Sequence, residues 1–233
     1  MLKETQREIA KDSWAKNIEK FGLIWPDESI IRFANKSYPK GDRKQYKILE
    51  LGCGSGRNSI AIAAEGFSVF AIDYNEQSVN MTLDRAQKFG VLVDAQQGDI
   101  KELPFPNEFM DGVIAWGLFF LFEVEDIKKA LLESRRVLKD GGLNFANWRA
   151  SDDFFYGRGK QIGNNTFMLD ATNQPFGLSD TLYSFFKEKE LRALYEECGF
   201  EVYNMERKEF WVNNLEVKNI HWHVWAKKKW TGE

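Results

Sequence analysis

The stretch best equipped for chemistry reads Ile48-Leu49-Glu50-Leu51-Gly52-Cys53-Gly54-Ser55-Gly56-Arg57-Asn58. A short apolar run ends in glycines at alternate positions, and glycine lets a backbone turn sharply and approach a ligand closely. A dinucleotide site would need glycine at the first, third and sixth positions of such a turn. Arg57 holds the sixth, so that fingerprint fails and a Gly-x-Gly-x-Gly form remains, with Glu50 before it. Some twenty residues on, Asp73 and Tyr74 close a second apolar run. A carboxylate there can accept two hydrogen bonds from ribose hydroxyls, although nicotinamide enzymes place an acid at the same point.

Other reactive side chains lie in the second half. His221 and His223 share one face of a strand by its period of two. One of them, His223 above all, is a candidate general base; two histidines packed in an aromatic strand is the plainer reading. Asp152 and Asp153 either bind substrate or cap a helix. Trp116 and Trp148, at the ends of two strands, either stack on a ligand or fill core. Phe154-Phe155-Tyr156-Gly157-Arg158-Gly159-Lys160 sets two cations between glycines beside three aromatics. With Trp148 and Arg149, the residues Tyr156, Arg158 and Lys160 form a candidate acceptor site for an anionic molecule such as a phosphorylated metabolite or a surface-glycan precursor, because arginine offers a planar donor fork. Catalytic candidates are His223, Tyr156 and Asp152. No spacing suggests a metal site.

These residues need a scaffold that brings strand ends together. Residues 1–40 read as an N-terminal helical cap, with Trp14, Ile18 and Phe21 on one helical face and a second helix starting near Asp27. From residue 47 strands and helices alternate: strands Lys47–Leu51, Phe67–Ile72, Leu92–Gln97, Asp111–Trp116 and Leu143–Trp148, with helices near 58–65, 75–89 and 125–138. Alternation implies parallel strands joined by right-handed crossovers, with ligands at the carboxyl ends of the strands. Asp140-Gly141-Gly142 is expected to stop the third of these helices. Residues 150–184 read as a long irregular segment, a substrate lid. A helix over 187–198 and strands over 201–205 and 220–226 finish the chain. The expectation is one α/β domain over 1–233: a Rossmann-like, seven-stranded, mostly parallel sheet with helices on both faces and a cofactor-binding core at 45–148.

The ordered set of Glu50 to Gly56, Asp73, Gly98-Asp99-Ile100, Met110 to Gly117 and Arg136 to Gly142 resembles the motifs of class I S-adenosylmethionine-dependent methyltransferases, particularly the bacterial small-molecule and tellurite-resistance-like members. The resemblance implies that Glu50 fixes the loop and the amino-acid end of the cofactor, that Gly52, Gly54 and Gly56 cradle it, and that Asp73 and Tyr74 lie at its ribose. It implies further that Asp99 meets the adenine amine, that Ile100 lines the adenine pocket, and that Trp116 stands where the fourth strand meets the ligand. The product would be S-adenosylhomocysteine. Many relatives carry a His pair after the fourth strand, where this chain has Leu118-Phe119-Phe120-Leu121-Phe122. Methyl transfer by in-line displacement chiefly needs a nucleophile held close and aligned, and a base only if the acceptor arrives protonated.

Composition narrows the partners. A formal net charge of −3 argues against nucleic acid, which calls for a basic face. No apolar run is long enough to span a membrane, and the charged start Met1 to Glu8 shows no leader, so the expectation is a cytoplasmic enzyme acting on a small molecule. Two cysteines are too few for a disulfide framework. A non-catalytic member of the same fold and a macromolecular methyltransferase remain as alternatives, and the oligomeric state is not encoded in any motif.

Overall fold

The structure is a computed structural model and describes residues 23–169 and 181–230. The expected helix around Trp14, Ile18 and Phe21 lies outside these. The next one forms as α1 (Glu28–Ser37), opened by the Asp27 side chain accepting from the Ser29 amide at 2.9 Å. Five parallel strands follow: β1 (Lys47–Leu51), β2 (Ser68–Asp73), β3 (Val93–Gln97), β4 (Met110–Ala115) and β5 (Leu138–Ala150), in the order β3-β2-β1-β4-β5. Their links are α2 (Arg57–Ala64), α3 (Glu76–Phe89) and α4 (Val124–Val137). β1 buries Ile48, Leu49 and Leu51, as a strand covered on both faces does, and with them the carboxylate of Glu50. α4 buries Ile127, Ala130, Leu131 and Ser134, the stripe expected from its sequence.

α4 does not end at the glycines. It stops at Val137, and β5 begins at once with Leu138. The register jumps from Met110–Leu138 to Gly112–Leu143, so Lys139 to Gly142 form an excursion within the strand, with Gly141 at φ +71°.

β9 (Phe200–Val212) and β10 (Val217–Lys228) are antiparallel, and β10 also pairs with β5. The order β3-β2-β1-β4-β5-β10-β9 is the expected seven-stranded sheet. The described residues carry ten strands, however, because residues 160–169 and 181–184 are not irregular. They contain β6 (Lys160–Gly163) and β7 (Thr166–Leu169), and β8 (Thr181–Phe186) starts within them; the three form an antiparallel meander, and the end of β8 pairs in parallel with Arg149 and Ala150 of β5. The physical reason is a third apolar cluster of Phe120, Phe155, Phe167, Tyr183 and Phe185, whose alternate spacing suits strands. Residues 170–180 of the expected lid lie outside the described residues. β9 and β10 run much longer than expected, because solvent faces much of β9 and blurs its alternation.

Each sheet face has its own core. α4 and α5 (Glu188–Glu197) cover Trp148, Tyr195 and Phe200; α1, α2 and α3 cover Ile48, Ile62, Phe145 and Trp225. Phe33 of α1 stacks on Phe145 at 4.6 Å and 10°, which docks the helical cap on the sheet, and burying such a ring is worth about 2 kcal/mol. Among the described residues no helix is long and apolar enough to cross a membrane.

Candidate cofactor and acceptor site

β1 delivers the chain into a turn in which Gly52, Gly54 and Gly56 have φ of +66°, +54° and +78°. The Gly52 and Cys53 amides donate to the Ile72 carbonyl at 2.7 and 3.0 Å, pinning the turn to β2. A Cβ on Gly56 would sit 2.8 Å from Thr82 Oγ1 and 3.0 Å from its Cα, so that position requires glycine for space as well as for conformation; at Gly52 the Cβ would meet only the movable tip of Leu118, and the positive φ is what calls for glycine. Gly56 caps α2, and the amides of its first turn are therefore directed at the loop. Cys53 is buried here and its thiol is pushed far up by desolvation, which makes it a filler rather than a nucleophile.

Glu50 is 1% exposed and accepts from Asn58 Nδ2 at 2.9 Å and from Ser59 Oγ. Burial raises its carboxyl to about 7 against the pull of those bonds. Of the two roles implied, the structure displays the loop-holding one, tying β1 to the first turn of α2. Asp73 is 3% exposed, not at an open strand end, and it accepts the Gly54 amide at 2.9 Å and the Asn75 amide at 3.0 Å. Desolvation raises its pKa despite these bonds. Tyr74 is half-buried and its carbonyl accepts from Gln97. Asp99 is exposed, accepts the Lys101 amide at 2.9 Å and faces the Lys101 ammonium at 3.5 Å, while Ile100 beside it is buried. Trp116 follows β4, packed against Phe145 at 5.3 Å and His223 at 4.7 Å. The ends of four adjacent strands thus carry a glycine cradle, two carboxylates and an aromatic ring in one row.

The N-terminal segment lies across this loop. The Leu23 carbonyl accepts from Ser55 Oγ at 2.7 Å and from Arg85 at 3.1 Å, the Trp25 carbonyl accepts from Arg57 at 3.1 Å, and the Asp27 amide donates to Asn58 Oδ1 at 3.1 Å. Asn58 and Ser59 were not singled out from sequence; their place in the first turn after the glycines was the available signal. Asn147 was missed too, and its Oδ1 accepts the Gly117 amide at 2.6 Å, holding the exit from β4.

The second-half candidates fare differently. Trp148 is fully buried on the opposite face against Phe119, Phe186 and Tyr195, so it is core and not an acceptor contact. Arg149 is also buried. Its guanidinium pairs with Asp153 at 3.0 Å and lies against the rings of Tyr183, Phe155 and Phe120, which corrects the reading of it as a substrate ligand. Asp153 in turn accepts the Phe155 and Ile220 amides at 3.0 and 2.8 Å. Asp152 is a surface partner of Arg207 at 2.6 Å. Tyr156 packs on Phe167 and Phe185 and its hydroxyl bonds Asn165. Arg158 folds back, donating to the Phe154 carbonyl at 2.8 Å with its guanidinium 3.7 Å from the ring centre, and Lys160 stands exposed at the start of β6.

His223 is 4% exposed and burial pushes its pKa down to about 4; His221 is pushed to about 3, by burial first and then by Arg149. Both imidazoles are neutral at pH 7. A separate groove of about 620 Å³, lined by Tyr38, Tyr46, Asp111, Lys139 and Tyr203, opens at the amino ends of the strands, away from the row of strand ends.

Residues 48–142 match a family described as a methyltransferase domain. Over 53% of this chain and 49% of the relative, the sequence is 32% identical to the cypemycin N-terminal methyltransferase of a Streptomyces species. It is 25% identical to the demethylmenaquinone methyltransferase of Tropheryma whipplei over 70% of each, and 31% identical to the ubiquinone biosynthesis O-methyltransferase of Rickettsia canadensis over 50% of this chain and 47% of that one. The chain thus matches about half the length of the first and third of these relatives. In fold it is similar to a SAM-dependent methyltransferase of Methanosarcina mazei, with a TM-score of 0.69 at 23% identity over 88% of this chain and 99% of that one. TehB of Haemophilus influenzae gives 0.65 at 18% over 93% and 67%. Residues 48–142 thus match the methyltransferase-domain family, and the fold is similar to that of solved S-adenosylmethionine-dependent methyltransferases.

Proposed function

We propose that the chain transfers a methyl group from S-adenosylmethionine to a small organic acceptor. The observation that carries this is the row of strand ends: the glycine turn after β1, Asp73 at the end of β2, Asp99 beyond β3 and Trp116 beyond β4. The residues present fit the cofactor. Three glycines in left-handed conformation leave backbone where a side chain would otherwise stand, and the α2 amide end suits a carboxylate. Asp73 would hold the ribose hydroxyls, and Asp99 with the buried Ile100 would take the adenine edge and face. Bound there, the cofactor supplies an activated methyl group on a sulfonium. The chain's own part is to fix that ligand, to keep water away with Trp116, Leu118 and the strap at 23–27, and to align the acceptor.

A small acceptor is supported by the relatives named for demethylmenaquinone and ubiquinone. The free, buried thiols of Cys53 and Cys198 suit a reducing cytoplasm. An anionic acceptor held by Arg158 and Lys160 has less support, since Arg158 is engaged with Phe154. The test is a screen of phenols, quinols, amines and phosphorylated metabolites for release of S-adenosylhomocysteine. Acceptor-dependent release above the acceptor-free rate is expected. A protein that binds the cofactor yet releases product with no acceptor class would be a binding protein instead.

A further inference from the structure

The geometry points to an acceptor site for an uncharged, planar aromatic molecule bearing one hydrogen-bond donor, walled by Trp116, Phe120 and Phe210 and oriented by His221 and His223. This rests on the methyltransferase reading above and names the substrate class of the same site. β10 pairs with β5 so that His223 faces Asn147 and His221 faces Arg149. Asn147 holds Gly117 at the exit of β4, which places His223 beside the end of the cofactor row. Trp116 meets the His223 ring edge-on at 4.7 Å. Phe120 lies 6.1 Å from the His221 ring and Phe210 meets it edge-on at 5.6 Å. Three aromatic rings and two imidazoles thus stand in sequence along one face of the sheet, from the end of β4 to β9.

Within this wall, His223 Nδ1 and His221 Nε2 are buried and have no hydrogen-bond partner among the described residues. Buried polar groups are nearly always satisfied, so such a pair calls for a partner that arrives with a ligand. An aromatic hydroxyl or ring N–H would meet that need, and its ring would stack or meet edges with Trp116, Phe120 and Phe210.

Charge decides against ionised acceptors. Among the described residues, the cations beside the wall are engaged: Arg32 with Glu206 through both terminal nitrogens, Lys208 with Glu206 at 3.8 Å, Arg207 with Asp152 and Glu209, and Arg149 with Asp153. The nearby acids are occupied as well, Asp27 by the Ser29 amide and Glu206 by Arg32. An anion would face no unpaired cation among these groups, and a cation would have to compete with the ion pairs for its counter-charge. The imidazoles themselves are held neutral by burial, so they can accept a hydrogen bond without bringing charge.

The probe is 2-naphthol, titrated calorimetrically into protein saturated with S-adenosylhomocysteine, beside 2-naphthyl phosphate and 2-naphthylmethylamine. The naphthol should bind at least tenfold more tightly than either charged analogue. His223→Ala should weaken naphthol binding at least tenfold with cofactor-product affinity unchanged. Phe210, exposed by 45%, offers a second variant that leaves the fold alone; Phe210→Ala should weaken naphthol binding several-fold. Equal or tighter binding of a charged analogue overturns the inference, as does unchanged naphthol affinity in folded His223→Ala, or in Phe210→Ala should the first variant fail to fold. Protein that binds S-adenosylhomocysteine but no naphthol refutes this acceptor class alone. Protein that fails to bind S-adenosylhomocysteine refutes the function on which it rests.

Discussion

As the proposed cofactor and acceptor sites, the ends of β1 to β4 and the ends of β5, β9 and β10 would hold a ligand by different means. On the first side the backbone does the holding: three left-handed glycines, the first turn of α2, and carboxylates that are themselves fixed by amides of the loop. On the second side the side chains do it, as rings and imidazoles, while charges are consumed in pairs such as Arg149–Asp153 and Arg32–Glu206. The first arrangement is set by conformation and tolerates little change in residue size. The second is set by packing, and its chemistry depends on which side chains project. A cofactor common to many chains and an acceptor particular to one would make such different demands.

Removing a charge on the acceptor side should give the largest effect. Asp153→Ala takes away the hydrogen bonds of three donors, Arg149 and the Phe155 and Ile220 amides, and strands Arg149 in an aromatic box. Breaking a buried pair in this way costs about 3–5 kcal/mol, so denaturant melting should show a loss of that size. A loss under about 1 kcal/mol would mean water reaches Arg149 freely.

On the cofactor side the effect of Glu50 is tied to pH. Its folded pKa of about 7 lies above its ordinary 4.5, so the native state binds the proton more tightly than the unfolded chain does. The contribution of Glu50 to stability is therefore fully present below pH 4.5 and falls as pH rises toward 7, by up to about 1.4 kcal/mol per pH unit. Glu50→Gln should flatten that part of the profile. A profile for the variant that parallels the wild type would show that another group causes the fall.

The smallest effects belong to the meander surface. Arg158→Ala and Lys160→Ala touch an exposed cation–ring contact and an exposed strand start, and each should shift stability by less than about 0.5 kcal/mol and leave cofactor affinity unchanged. If either raised the KM of an acceptor tenfold, the acceptor would be anionic and the aromatic wall would not be its site.

The same contrast explains what could be read from sequence. The cofactor side is built from neighbours: Glu50 with Asn58 and Ser59, Gly54 with Asp73. Glycine spacing and strand period reach that far, so the alternation of strands and helices and the place of the glycine turn after β1 were legible. That Asp73 is buried was not, because loop amides that fold over a carboxylate leave no mark in its own residue pattern. The acceptor side joins distant positions, such as Asp153 with Ile220 and Arg32 with Glu206. Local patterns could not separate the core role of Trp148 from a binding role, or show that Arg149 points inward. The meander was hidden for a related reason: its strands are four to six residues long and their aromatics pack on one another rather than on a helix.

The central claim is that the glycine turn and Asp73 hold S-adenosylmethionine, and calorimetric titration of that cofactor into wild-type protein and into Asp73→Ala tests it most directly. The wild type should bind with micromolar affinity. The variant should lose about 2–4 kcal/mol of binding, the scale of charge-assisted bonds, together with some stability, since Asp73 also fastens Gly54 and Asn75. No heat and no thermal shift with folded wild-type protein, or equal affinity in the two proteins, would contradict the account.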